Sequence, residues 1–515
     1  MIHESMAPRY PAAALALLAT AQFIIAVDYN IVYVALPSIG EQLGFSARNL
    51  QWVVSAYALA FGGLLLLGGR LGDVFGRRRA FMVALALYGT ASVAGGFAGS
   101  QLILIASRAV QGMGGALLLP ATLALVITFF AEGSDRNRAL AVIGAAGASG
   151  GASGALLGGL LTSAFGWSWT FFVNVPVVAA ALIGATYLLP RDAHSTPIRT
   201  YTSTSLPVYP PEKYAKTGAA TIDIPGALTS TAGLSLLVLS FVEGPVFGWI
   251  SPTTLGMLLA SAALLALFFV IESRSARPLM PLRLLRHPTL SVGMVVAALF
   301  AASFGAQYYL LTSYLQQIRH YAPSMAGIAF LPFSLAIVLG TRLAAPMVSR
   351  SSLKSALLIG LGLGIFGLIY IGFGSTANGS YLTHMLPGFV MDGVGQGITW
   401  TLMWVVATQG LDPQDRGIAS GMASTAQQIG NALGLALLVG IASSGSRAGM
   451  QHDTQSAIAG LQHAFFAASF LALIAAYVVA MRVKKVTPVT ISTPAETISV
   501  SQAAPPGLSN QGAKS

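Results

Sequence analysis

Three ionisable side chains stand where an apolar chain can least accommodate them. Asp28 lies in LATAQFIIAVDYNIVYVALP, Arg108 in LILIASRAVQGMGGALLL and Asp392 in LPGFVMDGVGQGITW. Insertion scales put Asp or Arg at a membrane-helix centre at about +2.5 to +3.5 kcal/mol. Such residues therefore face a cavity or a partner and mark an ion or substrate path. Carboxylates withdrawn from water are the groups that take up and release protons near working pH. Asp28 suits that role. Arg108 can compete with the proton for a carboxylate, or hold a substrate anion. The bland alternative is a buried structural pair, and for Asp392, in its glycine-rich stretch, the two readings weigh evenly. Gln111 and Gly112 follow Arg108 at helical i+3 and i+4 spacing, so one helix face carries a charge, an amide and a small gap.

Amide and aromatic side chains gather in the same apolar stretches: Gln51, Trp52 and Tyr57; Gln307 and Tyr308; Trp400 and Trp404. A pocket for amphipathic organic molecules needs such groups. An aromatic belt at the membrane–water interface is the competing reading, and the better one for Trp52.

The elements that must position these residues follow from composition. The chain has 515 residues, 55% of them hydrophobic and 8% charged; soluble domains carry about 25% charged residues. A surface with so few charges faces lipid. Spans of roughly 20 apolar residues recur along the chain, and fourteen can be placed. The expected fold is an all-α integral membrane protein. An even count puts both termini on one side. With that side inside, only Arg48, Arg319 and Arg447 fall in outer loops. Arg108 and Arg342 lie in spans, and the remainder of the 27 Lys and Arg fall inside. That bias follows the positive-inside rule and explains the net charge of +11 without nucleic acid as a partner. Cysteine is absent, which excludes disulfides and thiolate chemistry. The tail GLSNQGAKS lacks the strand and the Gly-Lys-Ser/Thr of a phosphate loop, so nothing points to a nucleotide-driven pump. No H-E-x-x-H spacing points to a metal or an enzyme.

Longer motifs make the chain resemble the major facilitator superfamily, specifically its fourteen-span drug–proton antiporters. Gly69-Arg-Leu-Gly-Asp73-Val-Phe-Gly76-Arg77-Arg78 is similar to that family's loop motif G-x-L-x-D-x-x-G-R-R. Arg108-Ala-Val-Gln111-Gly112 is similar to its R-x-x-Q-G. Asp28-Tyr-Asn-Ile-Val-Tyr-Val-Ala-Leu-Pro resembles its first-span motif, with Asn30 and Tyr33 in place of Thr and Asn. Gly150, Gly154, Gly158 and Gly159 match its antiporter motif, in which Ala155 stands for the usual Pro. The resemblance implies a six-helix bundle over 1–189, a cytoplasmic linker over 190–222, two inserted helices and a loop over 223–288, a second six-helix bundle over 289–485 and a disordered tail over 486–515. It further implies a gating loop at Gly69–Arg78, a helix-bending motif at Gly150–Gly159, and proton coupling through Asp28, Arg108 and Asp392. Asn30 and Tyr33 are then expected to face the cavity.

The function this implies is proton-coupled export of a small organic compound, such as a drug or antibiotic, by alternating access. No cofactor is expected, only the proton gradient. A monomer is expected, in a bacterial inner membrane with both termini cytoplasmic. Export of an endogenous metabolite or siderophore is the nearest alternative. A receptor or scaffold that has lost transport is an alternative of another class.

Overall fold

A backbone in hydrocarbon must satisfy its own N–H and C=O groups, which within a single segment only a helix does. In the computed structural model every element among the described residues is helical. Those residues are 8, 10–130, 133–190, 192, 223–275, 278–412, 415–444 and 454–483. Most of the expected linker and all of the tail 486–515 lie outside them.

Among the described residues, fourteen long helices follow one another. They are α1 (Pro11–Leu43), α2 (Trp52–Phe75), α3 (Arg77–Gly96), α4 (Gln101–Phe129), α5 (Ser134–Phe165), α6 (Trp169–Leu188), α7 (Ile224–Phe247), α8 (Pro252–Arg274), α9 (Pro288–Ile318), α10 (Pro323–Arg350), α11 (Leu353–Gly374), α12 (Leu386–Thr408), α13 (Arg416–Ser444) and α14 (Thr454–Arg482). Twelve of them are long and apolar enough to cross a membrane. The other two are α3, which opens on three arginines, and α12, which carries Asp392, Gln396 and several glycines. At 20 and 23 residues both match the span length of about 20.

Local sequence starts these helices where expected. Proline opens α1, α7, α8, α9 and α10, where its missing N–H costs nothing. Ser100 caps α4 and Ser352 caps α11 through their hydroxyls. The run of α9 is broken at Gly305 and Ala306 and ends in a π-helical turn over Tyr314–Ile318.

The packing repeats. α1 lies on α5, α2 on α4, and α3 on α4 and α6; equivalently, α9 lies on α13, α10 on α12, and α11 on α12 and α14. The two sets meet along α2–α13, α5–α10 and α1–α9, while α7 and α8 pair with each other and α7 leans on α2 and α13. One end of the molecule carries Arg77, Arg78, Arg350, Arg416 and Arg482 and is termed the basic end. At the opposite, far end, Ser324 N donates to Ser163 Oγ (2.8 Å) and Gln316 Nε2 to the Val34 carbonyl (2.8 Å).

Candidate functional site

Five helices converge on Asp28, which is fully buried in α1. Its Oδ2 lies 2.6 Å from Arg108 Nη1 of α4, itself 1% exposed. Its Oδ1 accepts from Asn174 Nδ2 of α6 (2.8 Å) and Gln111 Nε2 of α4 (3.3 Å). Arg108 also donates to the Val53 carbonyl of α2 (2.9 Å) and to Gln111 Oε1 (2.9 Å). Gln111 in turn donates to Ser92 Oγ of α3 (2.8 Å). The guanidinium sits 4.4 Å above the Tyr57 ring and 5.9 Å from that of Phe171, adding cation–π attraction. Every charge here has a partner, as a buried ion pair requires.

Small residues let this cluster close. A side chain at Gly112 would strike the Tyr57 backbone, and one at Gly114 the α3 backbone at Tyr88 (3.0 Å). Gly150, Gly154 and Gly158 press α5 onto the α1 backbone between Phe23 and Ile31, while Gly159 rests on Pro323 and Gly327 of α10. In this structure the glycine motif is thus a close-packing surface; α5 runs unbroken as one helix.

A second polar cluster lies in the other set. Asp392 of α12 is fully buried. Its Oδ2 accepts from Gln307 Nε2 of α9 and from Gln396 Nε2 (3.1 Å), and Gln396 also donates to Gln307 Oε1 (2.7 Å). Its Oδ1 has no hydrogen-bond partner among the described residues. The repeat relates this site to the first: α9, α11 and α12 surround it as α1, α3 and α4 surround Asp28.

Aromatic rings link the two clusters. From Tyr57 the contacts run to Tyr29 (6.0 Å between centroids), Tyr33 (6.4 Å) and, across to α9, Tyr308, stacked at 5.6 Å. Tyr308 adjoins Gln307 and stacks on Phe330 at 5.4 Å. This corrects the cavity-facing expectation for Asn30 and Tyr33. Asn30 donates to the Gly151 carbonyl of α5 (3.0 Å), and Tyr33 is fully buried against Tyr308, with its hydroxyl 3.4 Å from the Gly305 carbonyl. Both side chains serve the seams between helices, because a polar group next to α5 or α9 finds its acceptor there.

The remaining candidates lie apart. Trp52 packs with Leu59 of α2 beside α7 and α13. Gln51 is buried at the start of α2. Trp400 is 42% exposed and touches Phe300 and Trp404. At the basic end Gly76, at φ +97, turns the chain between α2 and α3. Asp192 there accepts from the backbone N–H of Arg78 and Arg79, both at 3.0 Å. Arg77 reaches Thr128 of α4, and Arg78 the terminal carbonyls Ala185 (3.3 Å) and Thr186 (3.1 Å) of α6, the negative end of that helix. Gly69 faces Pro120 of α4. The Asp73 side chain lies outside the described residues. Two surface concavities, of about 280 Å³ around Arg283 and Asp415 and about 580 Å³ around Phe97 and Phe165, touch neither polar cluster. The buried charges of Asp28 and Arg108 lie instead where five of the six helices of one set meet.

Sequence reasoning missed Asn174, Ser92, Tyr29 and Gln396. Gln396 stands at i+4 from Asp392 and could have been found by helical spacing. Asn174 and Ser92 carry no local signal, since only the packing brings them to the cluster.

The profile of the Major Facilitator Superfamily matches residues 18–435 and 293–507. The chain is 37% identical over 427 residues to the puromycin resistance protein of Streptomyces alboniger, covering 82% of this chain and 80% of that one. It is 36% identical to the cephamycin export protein of Amycolatopsis lactamdurans, covering 84% and 85%. It is 32% identical to the lincomycin resistance protein of Streptomyces lincolnensis, covering 83% of each. A peptide transporter solved with sulfate has the same fold at a TM-score of 0.64 and 18% identity, over 93% of this chain and 97% of its own. A nucleoside transporter matches at 0.61 and 12%, over 92% and 99%. With its fold, its repeat and its relatives in agreement, the chain belongs to the Major Facilitator Superfamily.

Proposed function

We propose that this transporter exports a small organic compound of the antibiotic class in exchange for protons. The observation that carries the reading is the Asp28–Arg108–Gln111 cluster, a proton-accepting group held by a competing cation inside the membrane-spanning helices. An outside proton loads Asp28 and frees Arg108; its release inside restores the pair. The resistance and export named for the relatives supply the cargo class. The proton gradient is the energy source, with no cofactor.

In this reading all fourteen long helices span a bacterial cell membrane, with the basic end and both termini in the cytoplasm. The first six and last six helices move as two bundles, as repeat-built carriers do. The far-end bonds Ser324–Ser163 and Gln316–Val34 are those that must part for release outside. The working unit is a monomer.

Everted vesicles energised with a pH gradient provide the test. Puromycin, lincomycin and a cephamycin should each be offered. Asp28→Asn, reconstituted from its folded fraction at equal amount, should abolish compound-induced loss of the gradient. Wild-type flux in that variant would refute the role of Asp28. The cephamycin exporter among the relatives favours a second reading, export of a compound the cell itself makes. A response to one compound, and to no others in the panel, would support it.

A further inference from the structure

Residues 278–287, between α8 and α9, are gripped from two sides at the basic end. Glu272, near the end of α8, is only 2% exposed. Its Oε1 accepts from the backbone N–H of Leu279 (3.2 Å) and its Oε2 from that of Met280 (3.1 Å). Arg70 of α2 donates through Nη2 to the Pro278 carbonyl. The Pro278 carbonyl and the Leu279 N–H belong to one peptide group, and in a trans peptide they point in opposite directions. One peptide is therefore held between a carboxylate at its N–H edge and a guanidinium at its C=O edge. Both charges lie along the peptide dipole in its favourable sense. Bonds assisted by charge in this way are roughly twice as strong as neutral ones. Pro278 and Pro281 fix φ on either side of Leu279 and Met280, so the gripped stretch is stiff.

Beyond that peptide, the connector is fastened to the set α9–α14. Arg283 Nη2 lies 2.7 Å from Asp415 Oδ1, just before α13. Thr289 Oγ1 donates to the Gln409 carbonyl at the end of α12 (2.7 Å). Met280 and Leu284 are buried with Leu411 and with Ala419 and Met422 of α13. The Arg283 side chain is 69% exposed, so its ion pair adds little, and the apolar side chains carry the attachment. The set α1–α6 meets the connector through Arg70 and through Leu66 of α2, which rests on the edge of the same apolar cluster.

We infer that residues 278–285 form a clasp that ties α2 to α13 at the basic end, with Glu272 as the positioning residue that presents the Pro278 carbonyl to Arg70. The Arg70 bond is the joint that parts when the basic end opens. It is single and polar, whereas the attachment to α12 and α13 is apolar and spread over several residues. The connector then travels with α13. The inserted helices α7 and α8 thereby bring a joint of their own, separate from the Asp192 contacts at Arg78 and Arg79. That the basic end opens rests on the exchange reading above; the clasp itself does not.

Because the chain has no cysteine, spin labels can be placed on the full protein in lipid without background. Phe75→Cys marks the end of α2, Arg286→Cys the connector and Ser351→Cys the end of α10; all three positions are exposed. Distances from double electron–electron resonance for the Phe75–Arg286 label pair should lengthen when Arg70→Ala is added, while those for the Arg286–Ser351 pair stay as they were. Arg70→Lys, which keeps a cationic donor, should restore part of the short-distance population. An unchanged Phe75–Arg286 distribution in folded Arg70→Ala would overturn the inference, and so would lengthening of the Arg286–Ser351 pair in its place. Glu272→Gln provides the second arm, should the alanine variant not fold. An amide cannot accept from both N–H groups, so the Phe75–Arg286 pair should lengthen there as well, and an unchanged distribution would again overturn the clasp. The two substitutions together should lengthen the distance no further than the larger single change, because both act on one peptide; additive lengthening would remove Glu272 from the joint. Failure of wild type to exchange compounds for protons would instead remove the exchange reading and leave the distances standing.

Discussion

Replacing Arg108 with leucine removes three bonds at once. Asp28 Oδ2 loses its guanidinium partner at 2.6 Å, and the Val53 carbonyl and Gln111 Oε1 each lose a donor at 2.9 Å. Stranding a buried charge costs about 3–5 kcal/mol. Neutral hydrogen bonds inside membranes average about 0.6 kcal/mol. The single substitution should therefore destabilise the fold by about 4–6 kcal/mol on these two figures. Asp28→Asn should cost a similar amount, because it strands the guanidinium instead. The double variant strands no charge and keeps only the small neutral losses. A double-mutant cycle, read by reversible unfolding in mixed micelles, should thus give a coupling energy of about 6–10 kcal/mol, since each single variant strands a charge and the double variant strands none. A coupling near the roughly 0.6 kcal/mol of an ordinary membrane hydrogen bond would refute the claim that this is an ion pair on which the helices converge.

Other outcomes follow from the packing. Gly154→Val should destabilise by about 1–3 kcal/mol, since its Cβ would lie 2.8 Å from both Asn30 Cβ and the Val27 carbonyl, whereas Gly144→Ala meets open space and should leave the melting temperature unchanged. Asp192→Ala should cost about 0.5–2 kcal/mol, seen as faster amide exchange at Arg78 and Arg79, whose N–H groups it caps. Tyr33→Ala should slow transport more than Tyr33→Phe, because the phenylalanine keeps the 5.6 Å stack on Tyr308; equal rates in vesicle flux would remove the stack from the mechanism.

Much of the site could be read before any coordinates. Asp28 and Arg108 declared themselves because a charge in lipid demands a partner, and Gln111 because i+3 spacing sets it on the same helix face. Their mutual pairing, from spans far apart in the chain, is the kind of contact that only the packed bundle decides. The same applies to Asn174, an ordinary polar residue that α6 carries to within 2.8 Å of Asp28. Trp52 and Trp400 illustrate the opposite case. Aromatic type and position in a span do not reveal which way a helix turns, and these rings face α7 and the periphery instead of a shared pocket. The repeat is carried by the order of helix contacts, since packing needs size and shape to match and not residue identity.

The seam between the two sets has a consequence for how such a protein can change over generations. Tyr33 bonds to the carbonyl of Gly305, Gln316 to that of Val34 and Thr425 to that of Gly62. In each case the acceptor belongs to the main chain, which every amino acid possesses. Substitution at Val34 leaves its bond available, whereas a side chain at Gly62 would meet Gln428 Cβ at 2.5 Å and one at Gly305 would strike Asn431, so lineages can alter the seam at Val34 while the other two positions hold the joint fixed.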